Sequence, residues 1–195
     1  MRLLRASEYR RMPWKNGGGE TREVLVSPAG APLNEIDWRI SLATIASDGP
    51  FSIFEGIDRT LSVIQGAGIR IVVDDAPPRL LLDHSEPFTF AGESTTSATL
   101  VDGTIVDLNV MTRRDSCRHS VRRLSVSGHL RIEMRASTTI LFCQRGEVRL
   151  SSTRLQPEDC AVFDSGTPSI DLSATDRSEI IVIELHSSAG RGNAP

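Results

Sequence analysis

The most unusual chemistry in the chain lies in Trp14-Lys15-Asn16-Gly17-Gly18-Gly19-Glu20-Thr21, where the only lysine among 22 basic residues sits between an indole and an Asn-Gly turn. Glycine amides beside an asparagine side chain can cradle a carboxylate or carbonyl oxygen. The same residues also read as a turn of positive φ with Lys15 exposed. A phosphate loop is excluded, because neither its G-x-x-x-x-G-K-[ST] spacing nor a following helix is present. Lys15 as a Schiff-base nucleophile needs a desolvated pocket and a partner base, and the sequence displays neither. Three further groups carry polar chemistry on alternating segments: Arg39 with Ser41, Arg59 beside Asp58, and Asp107 with Asn109. Arg59 reads either as half of an ion pair at a strand start or as a cation in a pocket. With Arg39 in the same barrel mouth, it would grip a dicarboxylate bidentately.

These residues need a frame of short strands. Gly and Pro recur every few residues, and Val-, Ile-, Leu- and Thr-rich segments without helical periodicity lie between them. Alternation predicts a strand over 38–46 with Arg39 and Ser41 on one face. Residues 61–64 and 69–73 flank Gln65-Gly66-Ala67-Gly68, a hairpin signal. Further strands are expected over 79–82, 88–90, 97–101 and 104–110, then over 117–126, 130–134, 138–144, 147–151 and 179–186. Leu61-Ser62-Val63-Ile64-Gln65-Gly66 resembles Ile140-Leu141-Phe142-Cys143-Gln144-Arg145-Gly146, one residue apart in spacing, which points to two repeated barrels. The arginine-rich stretch 112–123 is expected to link them as a solvated crossing.

Composition narrows the function classes. With 195 residues and a formal net charge of -3, the chain carries no basic excess for a nucleic-acid surface. The N-terminus lacks the apolar run of a signal peptide, and no segment has the length of a membrane span. Cys117, Cys143 and Cys160 form no C-x-x-C pair and read as reduced, buried thiols in a cytoplasmic protein. The strand-turn-strand grammar is similar to that of the cupin barrel, whose metal-binding forms place two His and a Glu before the glycine turn. Here the Glu position holds Arg59, the His positions fall on Ser52 and Phe54 or on Ile53 and Glu55, and the later His position falls near Thr95. A guanidinium in that place repels metal and attracts carboxylate. His84, His119, His129 and His186 show no ligand spacing.

The ordered motifs Trp14-Lys15-Asn16-Gly17-x-Gly19-x-Thr21, Asp37-Trp38-Arg39-x-Ser41, Gly49-Pro50-Phe51-Ser52-x-Phe54 and Gly56-x-Asp58-Arg59 resemble those of the HutD/Ves family. Phe88-x-Phe90-x-Gly92 and Asp107-x-Asn109-x-Met111-x-Arg113-Arg114 continue the resemblance, which runs from about Ser7 to Arg114. It implies a metal-free bicupin encoded with histidine-degradation genes, with a regulatory role exerted by binding formylglutamate or a relative.

The expectation is thus an all-β chain of two cupin-like antiparallel jelly-roll barrels with little helix. Residues 1–114 carry the ligand pocket, 115–186 form a degenerate second barrel, and 187–195 form a disordered tail. The expected ligand site comprises Trp14, Lys15, Asn16, Gly17, Thr21, Arg39, Ser41, Phe51, Ser52, Arg59, Asp107 and Asn109. It uses no cofactor or metal and takes a small anionic metabolite, a formylglutamate-like dicarboxylate. No nucleic acid or membrane partner is expected, and the chain is a monomer or homodimer. Two alternatives remain open: a metal-independent isomerase, lyase or hydrolase using Glu20, Asp107 or Lys15 as acid or base, and an interaction protein with a vestigial pocket.

Overall fold

The computed structural model describes residues 1–14 and 18–187. In chain order its strands are β1 (Arg2–Leu4), β2 (Arg10–Pro13), β3 (Gly19–Ser27), β4 (Trp38–Ile45), β5 (Gly49–Pro50), β6 (Ile57–Gln65), β7 (Ile69–Val73), β8 (Arg79–Leu81) and β9 (Phe88–Ala91). There follow β10 (Thr96–Leu100), β11 (Ile105–Arg113), β12 (Cys117–Glu133), β13 (Thr138–Arg145), β14 (Val148–Leu150), β15 (Thr153–Leu155), β16 (Cys160–Asp164) and β17 (Ser169–Ser187). A turn of 3₁₀ helix at Ala6–Glu8 is the only helical element among the described residues. The all-β expectation is met.

The chain divides into two compact units, Arg10–Arg118 and Met1–Tyr9 with His119–Ser187. In the first, a six-stranded sheet ordered β2-β3-β4-β11-β6-β9 accompanies a four-stranded sheet ordered β5-β10-β7-β8. Its core joins Ala43, Leu61, Val63 and Ile105 of the larger sheet to Ile69, Ile71 and Ala98 of the smaller. In the second, one sheet runs β1-β16-β13-β17-β14-β15, with β12 also on β17. Its core gathers Leu141, Cys143, Leu150, Phe163, Ile180 and Val182.

Four sequence expectations change. The first nine residues go to the second unit, because β1 pairs with β16 with Arg2 opposite Val162. Residues 112–123 are not a solvated crossing: Thr112 and Arg113 end β11, and Cys117 already opens β12, a single 17-residue strand where two were expected. Two of the arginines at this junction bind backbone and carboxylates instead. Arg113 donates to the carbonyls of Ile36 and Asn34, and Arg114 clasps Asp58 and Glu93. The Gly66 turn is not a hairpin, since β6 pairs with β11 and β9 whereas β7 pairs with β10 and β8. Glycine at positive φ marks a reversal without naming the partner strand, and here the reversal carries the chain from one sheet to the other. A Cβ on Gly66 would lie 2.7 Å from the Thr104 carbonyl, so the corner also needs the missing side chain.

The repeat is sharper than its sequence indicated. β6 carries a bulge between Val63 and Gln65, and β13 carries one between Cys143 and Arg145. Each bulge directly precedes its glycine, Gly66 at φ 94° and Gly146 at φ 80°. Superposing the glycines superposes the bulges, and the one-residue offset vanishes: Leu61 corresponds to Leu141, not to Ile140. The described chain ends at Ser187 of β17, and the tail from 188 lies outside the described residues.

Candidate functional site

Pairing register assembles the polar residues. On β11, Asp107, Asn109 and Met111 lie opposite Ala43, Ser41 and Arg39 of β4 and opposite Val63, Leu61 and Arg59 of β6. Side chains alternate along a strand, so all of these share the inner face of the six-stranded sheet. Thr21 of β3 joins them beside Ala43, and Phe90 of β9 beside Arg59. Together with the 51–54 segment they line a cavity of about 730 Å³.

Arg59 is the centre of this site. It is 5% exposed, and its guanidinium carbon lies 5.2 Å from the ring centres of Phe51 and Phe90 and 5.3 Å from that of Phe54. Three aromatic faces around one cation replace part of its lost hydration by cation–π attraction. Backbone bonds hold those rings: Phe51 donates its N–H to Thr96, and Phe54 donates to Gly92. Arg59 Nε donates to Asn109 Oδ1 at 3.4 Å, and Nη1 donates to the Ser52 carbonyl at 3.3 Å. The other terminal nitrogen has no hydrogen-bond partner among the described residues. Burial lowers the Arg59 pKa to about 10, with the Asp107 charge pulling it back up. The guanidinium therefore stays charged at neutral pH.

Asp107 is 1% exposed, and neither of its oxygens has a partner of hydrogen-bonding geometry among the described residues. Burial raises its pKa to about 7, opposed by the charge of Arg59 and by the Asn109 side chain. Arg39 lines the same cavity but is already paired, its Nε 2.8 Å from Glu23 Oε2, and Arg10 reaches the same glutamate. Two free guanidiniums for one dicarboxylate are thus not what the geometry provides. Trp14 Nε1 donates to Thr21 Oγ1 at 2.8 Å, which fixes the indole at the cavity wall.

Of the residues expected at the site, Trp14, Thr21, Arg39, Ser41, Phe51, Ser52, Arg59, Asp107 and Asn109 come together around this cavity. Lys15, Asn16 and Gly17 lie outside the described residues. Ser52 bonds Arg59 through its carbonyl, so its side chain is not the reason for its place. The Gly18 carbonyl accepts from Ala46 N–H and the Gly19 carbonyl from Trp14 N–H, while Asn16 and Gly17 of the expected cradle lie outside the described residues. Glu20, one residue from Thr21 and on the opposite face of β3, is bound by Arg11. Glu23 and the ring of Phe90 were not foreseen, and the position of Glu23 across from Ser41 was hidden by a bulge in β3 between Glu23 and Leu25.

The family model described as HutD matches residues 6–182. The chain belongs to the HutD family. The match extends well beyond the motifs, which stopped near Arg114. Among similar proteins, an uncharacterized 21.2 kDa protein in the hutC 3' region of Pseudomonas putida is 38% identical over 164 residues, covering 84% of each chain. Protein Ves of Cronobacter sakazakii is 36% identical over 169 residues, covering 85% of this chain and 90% of its own. The solved structure of HutD from Pseudomonas fluorescens SBW25 superposes with a TM-score of 0.83 at 35% identity, covering 96% of this chain and 99% of its own.

More distant neighbours share the fold alone. They include a bacterial pirin, YhhW of Escherichia coli, solved in complex with nickel(II), at 11% identity and a TM-score of 0.69. A cupin barrel-domain protein from Leptotrichia buccalis matches at a TM-score of 0.55. The jelly-roll architecture implies a metal in some of its members, but the side chains here do not fit one. Arg59 and Phe54 line the cavity beside Ser52, and no three His, Cys, Asp or Glu residues converge among the described residues. A buried guanidinium is a site for an anion, not for a cation.

Proposed function

We propose that the first unit binds a small anionic metabolite of histidine breakdown, formylglutamate or a related dicarboxylate intermediate, with Arg59 receiving a carboxylate. The protein would report the level of that metabolite to the histidine-utilization machinery in the cytoplasm, as a monomer or homodimer and without a cofactor. One observation carries the reading: a charged guanidinium, 5% exposed and boxed by three phenylalanines, keeps a terminal nitrogen without a partner among the described residues, beside a cavity of about 730 Å³. Burying a cation is costly unless something anionic pairs with it. A cavity of this size lies within the usual range for small-molecule sites. Membership of the HutD family supports the link to histidine utilization.

Calorimetric titration of formylglutamate into the wild-type protein and the Arg59→Ala variant tests the proposal. Loss of a buried cation partner should cost roughly 2 to 5 kcal/mol of binding, or roughly thirty-fold to several thousand-fold in affinity. A loss below about threefold places Arg59 outside the site. One observation favours a second reading, catalysis: Asp107 is a buried carboxylate with a pKa of about 7, which suits a general base. Product in molar excess over protein, on incubation with formylglutamate or formiminoglutamate, would establish turnover.

A further inference from the structure

The unpartnered carboxylate of Asp107 is the feature of the cavity that a plain dicarboxylate leaves unexplained. Buried polar atoms in folded proteins are nearly always hydrogen-bonded. Here both oxygens of a carboxylate that is 1% exposed lack a partner of hydrogen-bonding geometry among the described residues while the residue lines the cavity. Asp107 is not needed to hold Arg59 in place, since the guanidinium donates to Asn109 Oδ1 and to the Ser52 carbonyl. The remaining charges of the lining are accounted for. Arg39 is paired with Glu23, and Asp48 accepts from the Leu100 N–H. Among the described residues, what faces the ligand is one cation and one carboxylate, each with hydrogen-bonding capacity unspent.

We infer that the site selects an amino-acid unit: a carboxylate seated on Arg59, and on the adjacent carbon a nitrogen whose hydrogen is donated to Asp107. This deepens the proposed function and rests on its assignment of Arg59 as the carboxylate receptor. Asp107 and Asn109 lie two residues apart on one strand face, roughly 7 Å along the strand. Arg59 Nε is 3.4 Å from Asn109 Oδ1, so the guanidinium lies within a short reach of Asp107. An amino-acid unit with a hydrogen bond of about 3 Å at each end spans such a gap. A dicarboxylate without nitrogen would instead set a methylene against Asp107 and leave the aspartate unpaired. The unmade hydrogen bond disfavours such a ligand, and selectivity follows from it.

The charge state gives an independent readout. An ionised carboxylate is the stronger acceptor, so selectivity should weaken as pH falls through the Asp107 pKa of about 7. The groups facing Asp107 are Arg59 on β6, Asn109 beside it on β11, and Arg39 on β4 with its partner Glu23 on β3; Asp48 also lines the cavity. Burial and the Arg59 charge dominate its titration, and the Arg39–Glu23 pair is close to self-neutralising.

The test is calorimetric titration of the full chain with formylglutamate and with glutarate, which has the same two carboxylates and no nitrogen. The wild-type protein should prefer formylglutamate by roughly ten- to a hundredfold at about pH 8, and by less at about pH 6. In Asp107→Ala the preference should shrink to within about twofold, with glutarate binding unchanged or improved. Asp107→Asn preserves the shape if the alanine variant does not fold, and it should likewise reduce the preference. Equal binding of both ligands by the wild-type protein overturns the inference while leaving the Arg59 reading intact. So does a preference that survives in both variants. A preference that grows as pH falls also overturns it, because a protonated Asp107 would then be donating to the ligand. Failure of both ligands to bind overturns the Arg59 reading, and the inference with it.

Discussion

Asp107 should make the stability of the ligand-free protein depend on pH in a direction opposite to that of an ordinary aspartate. Its pKa rises from 3.8 to about 7 on folding, chiefly because burial disfavours the charged form. Between about pH 4 and about pH 7 the folded state therefore keeps a proton that the unfolded state has released. Stability is fully present below the unfolded value and is lost as pH rises, by about 1.36 kcal/mol per pH unit for one proton. The total is about 4 kcal/mol by neutral pH, after which the loss levels off. Arg59, with its pKa near 10, stays charged throughout and adds no slope in that window. In Asp107→Asn the titrating group is gone, and the difference between the two proteins isolates it from the other carboxylates. Urea unfolding followed by tryptophan fluorescence measures the difference, since both indoles, Trp14 and Trp38, belong to the first unit. The variant should be nearly level with the wild type near pH 4 and gain steadily toward neutrality. A difference that stays constant within about 0.5 kcal/mol would show that Asp107 is solvated, and the argument from its unpartnered oxygens would fail.

Two further outcomes follow from how the site and the second unit are held. A Cβ on Gly92 would lie 2.7 Å from the Phe54 carbonyl and 2.8 Å from the Ile57 carbonyl. Gly92→Ala should thus cost roughly 1 to 3 kcal/mol in thermal unfolding and weaken ligand binding by displacing the Phe54 ring from Arg59. Binding unchanged in a stably folded variant would show that this ring is dispensable. In the second unit, buried Asp159 accepts from Arg5, from Ala6 N–H and from Gln156 N–H. Asp159→Ala should lower stability by roughly 3 kcal/mol and release Arg2–Leu4 to rapid hydrogen exchange; unchanged protection there would refute the role of Asp159 as the tether of the first strand.

Local pattern and long-range assembly were unequally legible in the sequence. Residues 69–73 were read to the residue, because alternation there is bounded by turns on both sides. The strand Gly19–Ser27 went unread: its glycine-rich entry resembled a binding turn, and the bulge between Glu23 and Leu25 broke its alternation. The first half of Ser169–Ser187 was missed because only Ile170 and Leu172 are large among its buried positions, and those that follow, Ala174 and Ser178, are small. Arg2–Leu4 is too short for any periodicity to register. At the site, Arg59, Asp107 and Asn109 could be picked out by type. The box around Arg59 could not, since Phe51 and Phe54 come from an irregular segment and Phe90 from a strand some thirty residues on. Motif resemblance alone grouped those rings, and it gave no reason for them.

The internal repeat explains why one unit carries the polar site. With Gly66 set on Gly146, the positions of Arg59, Asp107 and Asn109 fall on Thr139, Ile180 and Val182. Ile180 and Val182 are fully buried and pack with Leu141, Cys143 and Phe163. Each such aliphatic side chain contributes roughly 1.5 to 3 kcal/mol on burial. The same backbone positions in the first unit hold a desolvated cation and an unpartnered carboxylate, which oppose folding. Thr139, where Arg59 stands in the other copy, has a buried hydroxyl without a partner among the described residues. A sheet that can be filled with aliphatic residues in one copy has no packing reason to bury Arg59 and Asp107 in the other. The stability forgone there fits the proposed binding function, as expected where function and stability compete for the same positions.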